Sequence, residues 1–242
     1  QLTKKGVESK VVKTAQALKD GAVRGVMDLL DRGGAGPLIH WAGKLGVESG
    51  IDALCSQPFV AGVSKDVCAA AFDAGVELFK ERREAAAESG KLFHDAIDQH
   101  IQGTLYAGEN TAILRACQEC VAFIGTFGVG EFKSEVCFVA DFEEGGVRYR
   151  YGGTPDFACP AVCLDWKTVE DARDARIKEL AQLATYRKAL GYDKARCVNV
   201  YISRVTGAIV GKREWTEEEL ALGWEYFTLA YKQALLEDRF AA

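Results

Sequence analysis

Asp156, Asp165 and Lys167 put two carboxylates and one ammonium within a dozen residues of sequence. Asp156 follows Gly152-Gly153-Thr154-Pro155, where a glycine pair and a proline mark a strand that has just turned or bulged. The run from 161 to 164 is apolar and reads as a buried strand. Asp165 and Lys167 are two apart on that strand, so their side chains share one face. If the preceding strand pairs with it, Asp156 comes to lie beside Asp165. Two clustered carboxylates repel each other and invite a divalent cation. A lysine beside that cation can hold a water and a phosphate oxygen. This is equipment for metal-assisted phosphodiester hydrolysis.

The elements that must position these groups follow from the hydrophobic period. Before residue 128 the period is helical. Helices are expected over 23–30 and 38–45, broken by Gly33-Gly34-Ala35-Gly36-Pro37, with Trp41 as a core anchor and a further break at Gln57-Pro58. Ser64 reads as the cap of a helix to about 87. Ser89-Gly90 then interrupts or tightens the chain before a helix over 91–101. That helix buries Leu92, Phe93, Ala96, Ile97 and Ile101, sets His94 off the middle of the stripe, and puts Asp98 one turn later. A further helix covers 110–127. The period then falls to two. Strands are expected over 132–142, carrying Glu135, and over 147–152, joined by the turn Glu143-Glu144-Gly145-Gly146. Strands over 162–167, 197–203 and 208–212 follow, the last two hairpin-linked through Thr206-Gly207. A helix over 171–190 ends at Gly191 and sets Gln182 and Tyr186 on one face. Thr216 and Glu219 form a capping box for the last helix, whose stripe is Leu220, Trp224, Phe227, Tyr231 and Leu235. The expected fold is α/β, a mixed central β-sheet flanked by helices with a helical N-terminal extension. One domain is expected over the 242 residues, with a helical part at 1–89, a core at 90–213 and a C-terminal helix at 214–242.

Composition narrows the partners. Apolar residues make 48% and charged residues 27%, ordinary for a globular protein. No apolar run approaches the roughly 18 residues of a membrane helix. Residues 1–13 are polar and basic with no signal-peptide core, and the chain opens on Gln1 rather than Met, so its native start is expected to be missing. The expected location is the cytoplasm. The eight cysteines are scattered, and free buried thiols are expected. Cys117 and Cys120 are helical neighbours rather than half of a zinc site. The net charge is -5, but residues 147–213 hold 13 Lys and Arg against 7 Asp and Glu. A basic surface around an acidic site suits a polyanion. Arg82 and Arg83 are a solvated helix end or a phosphate contact.

Glu135, Asp156, Asp165 and Lys167 at strand ends, His94 on an earlier helix, and Gln182 with Tyr186 on a later one resemble the PD-(D/E)XK nuclease superfamily, in its RecB-like exonuclease branch. The matching residues are Gly90-x-x-x-His94, Glu135, Gly153-Thr154-Pro155-Asp156, Asp165-Trp166-Lys167 and Gln182-x-x-x-Tyr186. They span roughly 90–213. Val26-Met27-Asp28-Leu29-Leu30 with Leu38-Ile39-His40-Trp41 also looks like the entry segment of phage-type and mitochondrial genome maintenance exonucleases. D-x-K alone is cheap; all five motifs in order are specific.

The resemblance implies a restriction-endonuclease-like core that degrades DNA from its ends, leaving a 5′-phosphate and a 3′-hydroxyl. Asp156 and Asp165 would bind Mg²⁺ or Mn²⁺, with the carbonyl of Trp166 completing one shell. His94 would be an added ligand, better suited to Mn²⁺. Glu135 would bind a second ion, about 4 Å from the first. Lys167 would orient the attacking water and stabilise transition-state charge. Gln182, Tyr186, Arg173 and Arg176 would face DNA, or Gln182 and Tyr186 would fix the site's helix. Recombination or replication proteins are implied partners. Some relatives hold an iron–sulfur cluster through three grouped downstream cysteines. Only Cys197 lies beyond Lys167, so no cluster is expected. Plainer readings stay open: a strand-end salt bridge at Asp165 and Lys167, a core histidine, a solvated Glu135, and ordinary packing for Gln182 and Tyr186. An endonuclease or junction resolvase, a non-catalytic nucleic-acid-binding module, and an RNA-processing nuclease are the alternative functions.

Overall fold

The computed structural model describes residues 23–32, 65–129, 133–135 and 137–241. The expectations for Trp41, Ser64, the 38–45 helix and the break at Gln57-Pro58 fall outside these residues. Contacts divide the chain into two compact units, Gln1–Gly33 with Phe93–Ala242, and Gly34–Leu92. The described part of the smaller unit is the first stretch of a helix, on which Arg82 and Arg83 are exposed.

The described elements run β1 (Arg24–Gly25), α1 (Val26–Arg32), α2 (Lys65–Ile101), α3 (Thr111–Gly125), β2 (Lys133–Ser134), β3 (Phe138–Glu144), β4 (Val147–Gly153), β5 (Phe157–Ala158), β6 (Val162–Val169), α4 (Ile177–Ala189), β7 (Arg196–Ser203), β8 (Ile209–Trp215) and α5 (Glu217–Ala241). The α/β class and the flanking helices are as expected. The strands, however, form two mixed sheets, β1-β4-β3 and β2-β5-β6-β7-β8. The single strand expected over 132–142 is split between them. Glu135 sits at the split with φ of 46°, a left-handed backbone that no pleated strand accommodates.

Two further boundaries moved. Gly90 does not interrupt α2, which runs unbroken from 65 to 101 because its neighbours Ala85-Ala86-Ala87 and Lys91-Leu92 are good helix formers. Leu92, expected inside, is 56% exposed. Residues 171–176 are not helical. Glu179 instead accepts from the Arg176 backbone N–H at 3.1 Å and from the Arg173 guanidinium, which fixes the helix start at 177. Gly191, at φ of 69°, closes α4 as expected.

The hairpin between β3 and β4 turns through Gly145 and Gly146, both at positive φ, as a two-residue loop requires. The larger sheet is covered on both faces. Phe93, Ala96 and Ile97 of α2 and Ala116, Cys117 and Cys120 of α3 pack with Leu164, Trp166, Val198 and Val200. Leu180, Leu183 and Ala184 of α4 pack with Ala158, Cys163 and Cys197 on the opposite face. The smaller sheet packs with α1 and α5 around Tyr151, Phe227 and Tyr231. Thr216 and Glu219 make the expected capping box, at 3.2 and 2.9 Å.

Candidate active site

Antiparallel pairing of β5 with β6 sets Phe157 opposite Leu164. The same register carried one residue outward puts Asp156 opposite Asp165, so both carboxylates share a face. Leu164 and Trp166 point the other way, into the core. Gly153 lets this loop close. A Cβ there would meet the Tyr186 ring at 2.6 Å and the Phe138 ring at 3.0 Å, so no other residue fits where β4 leads into Thr154-Pro155-Asp156.

Each acid has defined partners. Asp156 Oδ1 accepts from His94 Nδ1 at 3.1 Å, and its Oδ2 accepts from the Trp166 backbone N–H at 2.7 Å. Asp165, 1% exposed, accepts from Lys167 Nζ at 2.8 Å and from Asn199 Nδ2 at 2.7 Å. Lys167 also donates to Gln182 Oε1 at 3.0 Å, and Gln182 Nε2 donates to Tyr186 at 3.2 Å. Trp215 Nε1 donates to Asn199 Oδ1 at 2.7 Å. The network thus runs from β8 through β7 and β6 to α4.

The two carboxylates titrate apart, as like charges in one site must. Burial, with the charge of Asp156 behind it, pushes Asp165 up to about 6 against the pull of Lys167. Asp156 is held below the ordinary carboxylate value because His94 and Lys167 overcome its burial. Burial opposes the charge on His94, yet Asp156 raises it to about 9. Lys167 is also raised: its burial is outweighed by Asp165 and Asp156, so it stays an ammonium. Glu135 is exposed overall, but its carboxyl is crowded by protein and by the charges of Asp98, Asp156 and Asp95, which raise it.

Gln182 and Tyr186 are 6% and 4% exposed, so they hold Lys167 and the Gly153 turn from beneath the surface. The Arg173 side chain is half-buried over the Tyr201 ring and ion-paired with Glu179. Arg176 is exposed. Asn199 was missed by sequence reasoning. Its one signal is an amide inside the apolar run Val198-Asn199-Val200, where a polar group must find a buried partner. In the sequence Asp98 stood out only as one turn after His94, and Asp95 not at all; Asp98 accepts from Ser134 Oγ beside Glu135.

The donor types suit a divalent cation: hard carboxylate oxygens and an imidazole, with Asp165 and Glu135 raised first by burial and then by neighbouring acids. Their present positions are those of a self-neutralised cluster: imidazolium on Asp156, ammonium on Asp165. Among the described residues no three His, Cys, Asp or Glu side chains form a ready-made metal cage. The described cysteines 117, 120, 137, 159, 163 and 197 are free. No helix among the described residues is long and apolar enough to cross a membrane.

No protein-family model matches the sequence. No curated protein matches it either. Among solved structures, the chain is similar in part to SSO0001, at 19% identity and a TM-score of 0.32, over 50% of this chain and 60% of that one. It is also similar in part to a candidate exonuclease from Eubacterium rectale, at 13% identity and a TM-score of 0.42, over 61% of this chain and 66% of that one. The chain therefore spans less than two thirds of the length of either. Likenesses of this extent leave its activity to be argued from its own residues.

Proposed function

We propose that this chain is a divalent-metal-dependent deoxyribonuclease of PD-(D/E)XK type that hydrolyses phosphodiester bonds at DNA ends and leaves 5′-phosphate products. The observation that carries the reading is the β5–β6 register, Phe157 opposite Leu164, which continued by one residue brings Asp156 beside Asp165, with Lys167 Nζ 2.8 Å from the latter. Asp156, Asp165, His94 and Glu135, with the Trp166 carbonyl, would hold Mg²⁺ or Mn²⁺. When bound, such an ion supplies Lewis-acid charge at the scissile phosphate. Lys167 stays protonated and spends hydrogen bonds on Asp165 and Gln182. A third N–H is left to hold the attacking water or a phosphate oxygen. Asn199 and Gln182 keep Asp165 and Lys167 in place while this happens. Raised as it is by Asp156, His94 must give up one proton before a ring nitrogen can act as a ligand. DNA-repair, recombination or replication proteins would share the substrate, and a reducing cytoplasm suits the free thiols.

The test is degradation of end-labelled DNA with Mg²⁺ or Mn²⁺. Wild type should degrade it, and Lys167→Ala should lose at least about 100-fold in kcat, the size of one transition-state donor. No degradation with either ion, or full activity in Lys167→Ala, refutes the proposal. A covalently closed single-stranded circle separates the two modes of attack, because only an endonuclease or resolvase cuts it.

A further inference from the structure

Helix α5 carries two apolar stripes. Leu220, Phe227, Tyr231 and Ala234 are buried against the rest of the larger unit. Leu222, Leu229 and Leu236 recur every seven residues on the opposite side, and Phe240 follows one turn later. All four are more than half exposed. Single exposed leucines are ordinary, but a row of them along about five turns is a contiguous apolar surface. A helix that is apolar on both sides is one that is covered on both sides. The seven-residue repeat is the spacing of a helix–helix seam: the leucines take one core position, and Tyr226, Gln233 and Phe240 take the other.

We propose that this face of α5 is the interface of a homodimer, in which the α5 helices of two copies lie antiparallel across a twofold axis. Charge selects both the occupant and the direction. Along one flank of the seam Glu225 comes early and Arg239 late, and both are exposed. Most other charges of α5 are taken within the chain: Glu217 by Arg187, Glu219 by Arg213, Lys232 by Glu144, and Asp238 by Arg24 and Arg32. With the helices antiparallel, Phe240 packs on the partner's Leu222, Leu236 on the partner's Tyr226, and Leu229 on the partner's Gln233. The same register sets Glu225 beside the partner's Arg239, and the twofold repeats every contact. Lys232 meets its own copy near the axis, where Glu144 already neutralises it. The overlap starts at Leu222, so Glu218 falls outside it. A parallel pair sets Glu225 against the partner's Ala230 and leaves both it and Arg239 unmatched. A lipid surface is the poorer occupant: residues 217–241 hold six acids against two bases, the reverse of a helix that lies on anionic lipid. The interface rests on α5 alone and is independent of the nuclease reading.

The test is the mass of the full chain by analytical ultracentrifugation across concentration. A contact made by one helix pair sits at the small end of specific interfaces, so a dimer is expected at roughly 50–200 µM and a monomer near 1 µM, where urea curves read the single chain. Leu229→Glu with Leu236→Glu should weaken dimerisation at least about tenfold. Both side chains are exposed, so the variant should fold, and far-UV circular dichroism checks that it does. Charge gives a second readout. Glu225→Arg alone and Arg239→Glu alone should each weaken the dimer about threefold or more at low salt, and the two together should restore it. Wild type that stays monomeric at about 200 µM overturns the proposal. If that monomer also floats with vesicles of phosphatidylcholine and phosphatidylglycerol, the face belongs to a lipid surface instead. A dimer untouched by the paired leucine substitutions is made by another face and overturns the proposal too. A dimer that needs the leucines but ignores both charge reversals refutes the antiparallel arrangement.

Discussion

His94 and Glu135 show how single residues are set by the charge around them. The His94 pKa is raised from 6.5 to about 9 by Asp156, against the effect of burial. A raised folded pKa stabilises fully below the unfolded value and loses that contribution as pH climbs through the folded one. The His94–Asp156 pair should therefore support the fold fully below pH 6.5 and lose its effect as pH passes about 9. Melting curves in chelator should show His94→Gln clearly below wild type near pH 6 and converging with it near pH 10. A constant gap would mean that packing, not charge, accounts for the difference. Glu135 has the opposite balance of stability and activity. Its backbone at φ of 46° costs about 1–2 kcal/mol relative to glycine, and its carboxyl adds to a cluster of like charges. Glu135→Gly should gain roughly 0.5–1 kcal/mol in urea denaturation after glycine's own entropic cost, while nuclease activity falls. A destabilised variant, or an active one, would show that Glu135 is not held there for chemistry.

Among the elements, β6 and β7 decide the site. The spacing of Asp165 and Lys167 made their common face legible; a strand beside it carrying Asp156 was only a condition, and the two-residue β5 that pairs antiparallel with β6 was not among the expected strands. Nor was the parallel partner legible. Parallel pairing is set by α4 crossing over the sheet, so nothing local in Val198-Asn199-Val200 names Asp165 as the amide's partner. The split between β2 and β3 was hidden for a similar reason: residues 132–142 alternate well enough for one strand, and only the two sheets competing for them break it at Glu135. The α4 start was misplaced because two arginines look helical until Glu179 captures them. Asn199→Leu tests the buried amide. It leaves Asp165 Oδ2 without one donor and the Trp215 indole without its acceptor, at a cost of about 1–3 kcal/mol for each group left unpaired. The expected result is a matching drop in urea stability and a fall in kcat with KM little changed. An unchanged kcat would remove Asn199 from the positioning of Asp165.

At the scale of the larger unit, the candidate site depends on an aromatic cluster around the smaller sheet and α5. Tyr149, Tyr151 and Phe142 of the smaller sheet meet Trp224, Phe227 and Tyr231 of α5, with Tyr151 and Phe227 centroids 5.1 Å apart. Tyr231 also donates to the Arg150 carbonyl at 2.6 Å. Arg24 and Arg32 reach Asp238 near the end of α5, which ties β1 and α1 to the same helix. This packing holds β4, and β4 delivers Gly153 to the turn that aims Asp156. The last helix was read from its stripe as core-facing, and Leu220, Phe227 and Tyr231 of that stripe are buried. Phe227 has no exposed surface, whereas Phe240, on the same helix, is 92% exposed. Phe227→Ala should cost about 3–5 kcal/mol, a large share of the roughly 5–15 kcal/mol that holds a domain folded. Phe240→Ala should stay within about 0.5 kcal/mol of wild type. Urea denaturation followed by tryptophan fluorescence measures both, and activity of Phe227→Ala should track its folded fraction. Equal losses in the two variants would mean that α5 is stabilised along its outer face, and that the Asp156 turn is held by something other than this cluster.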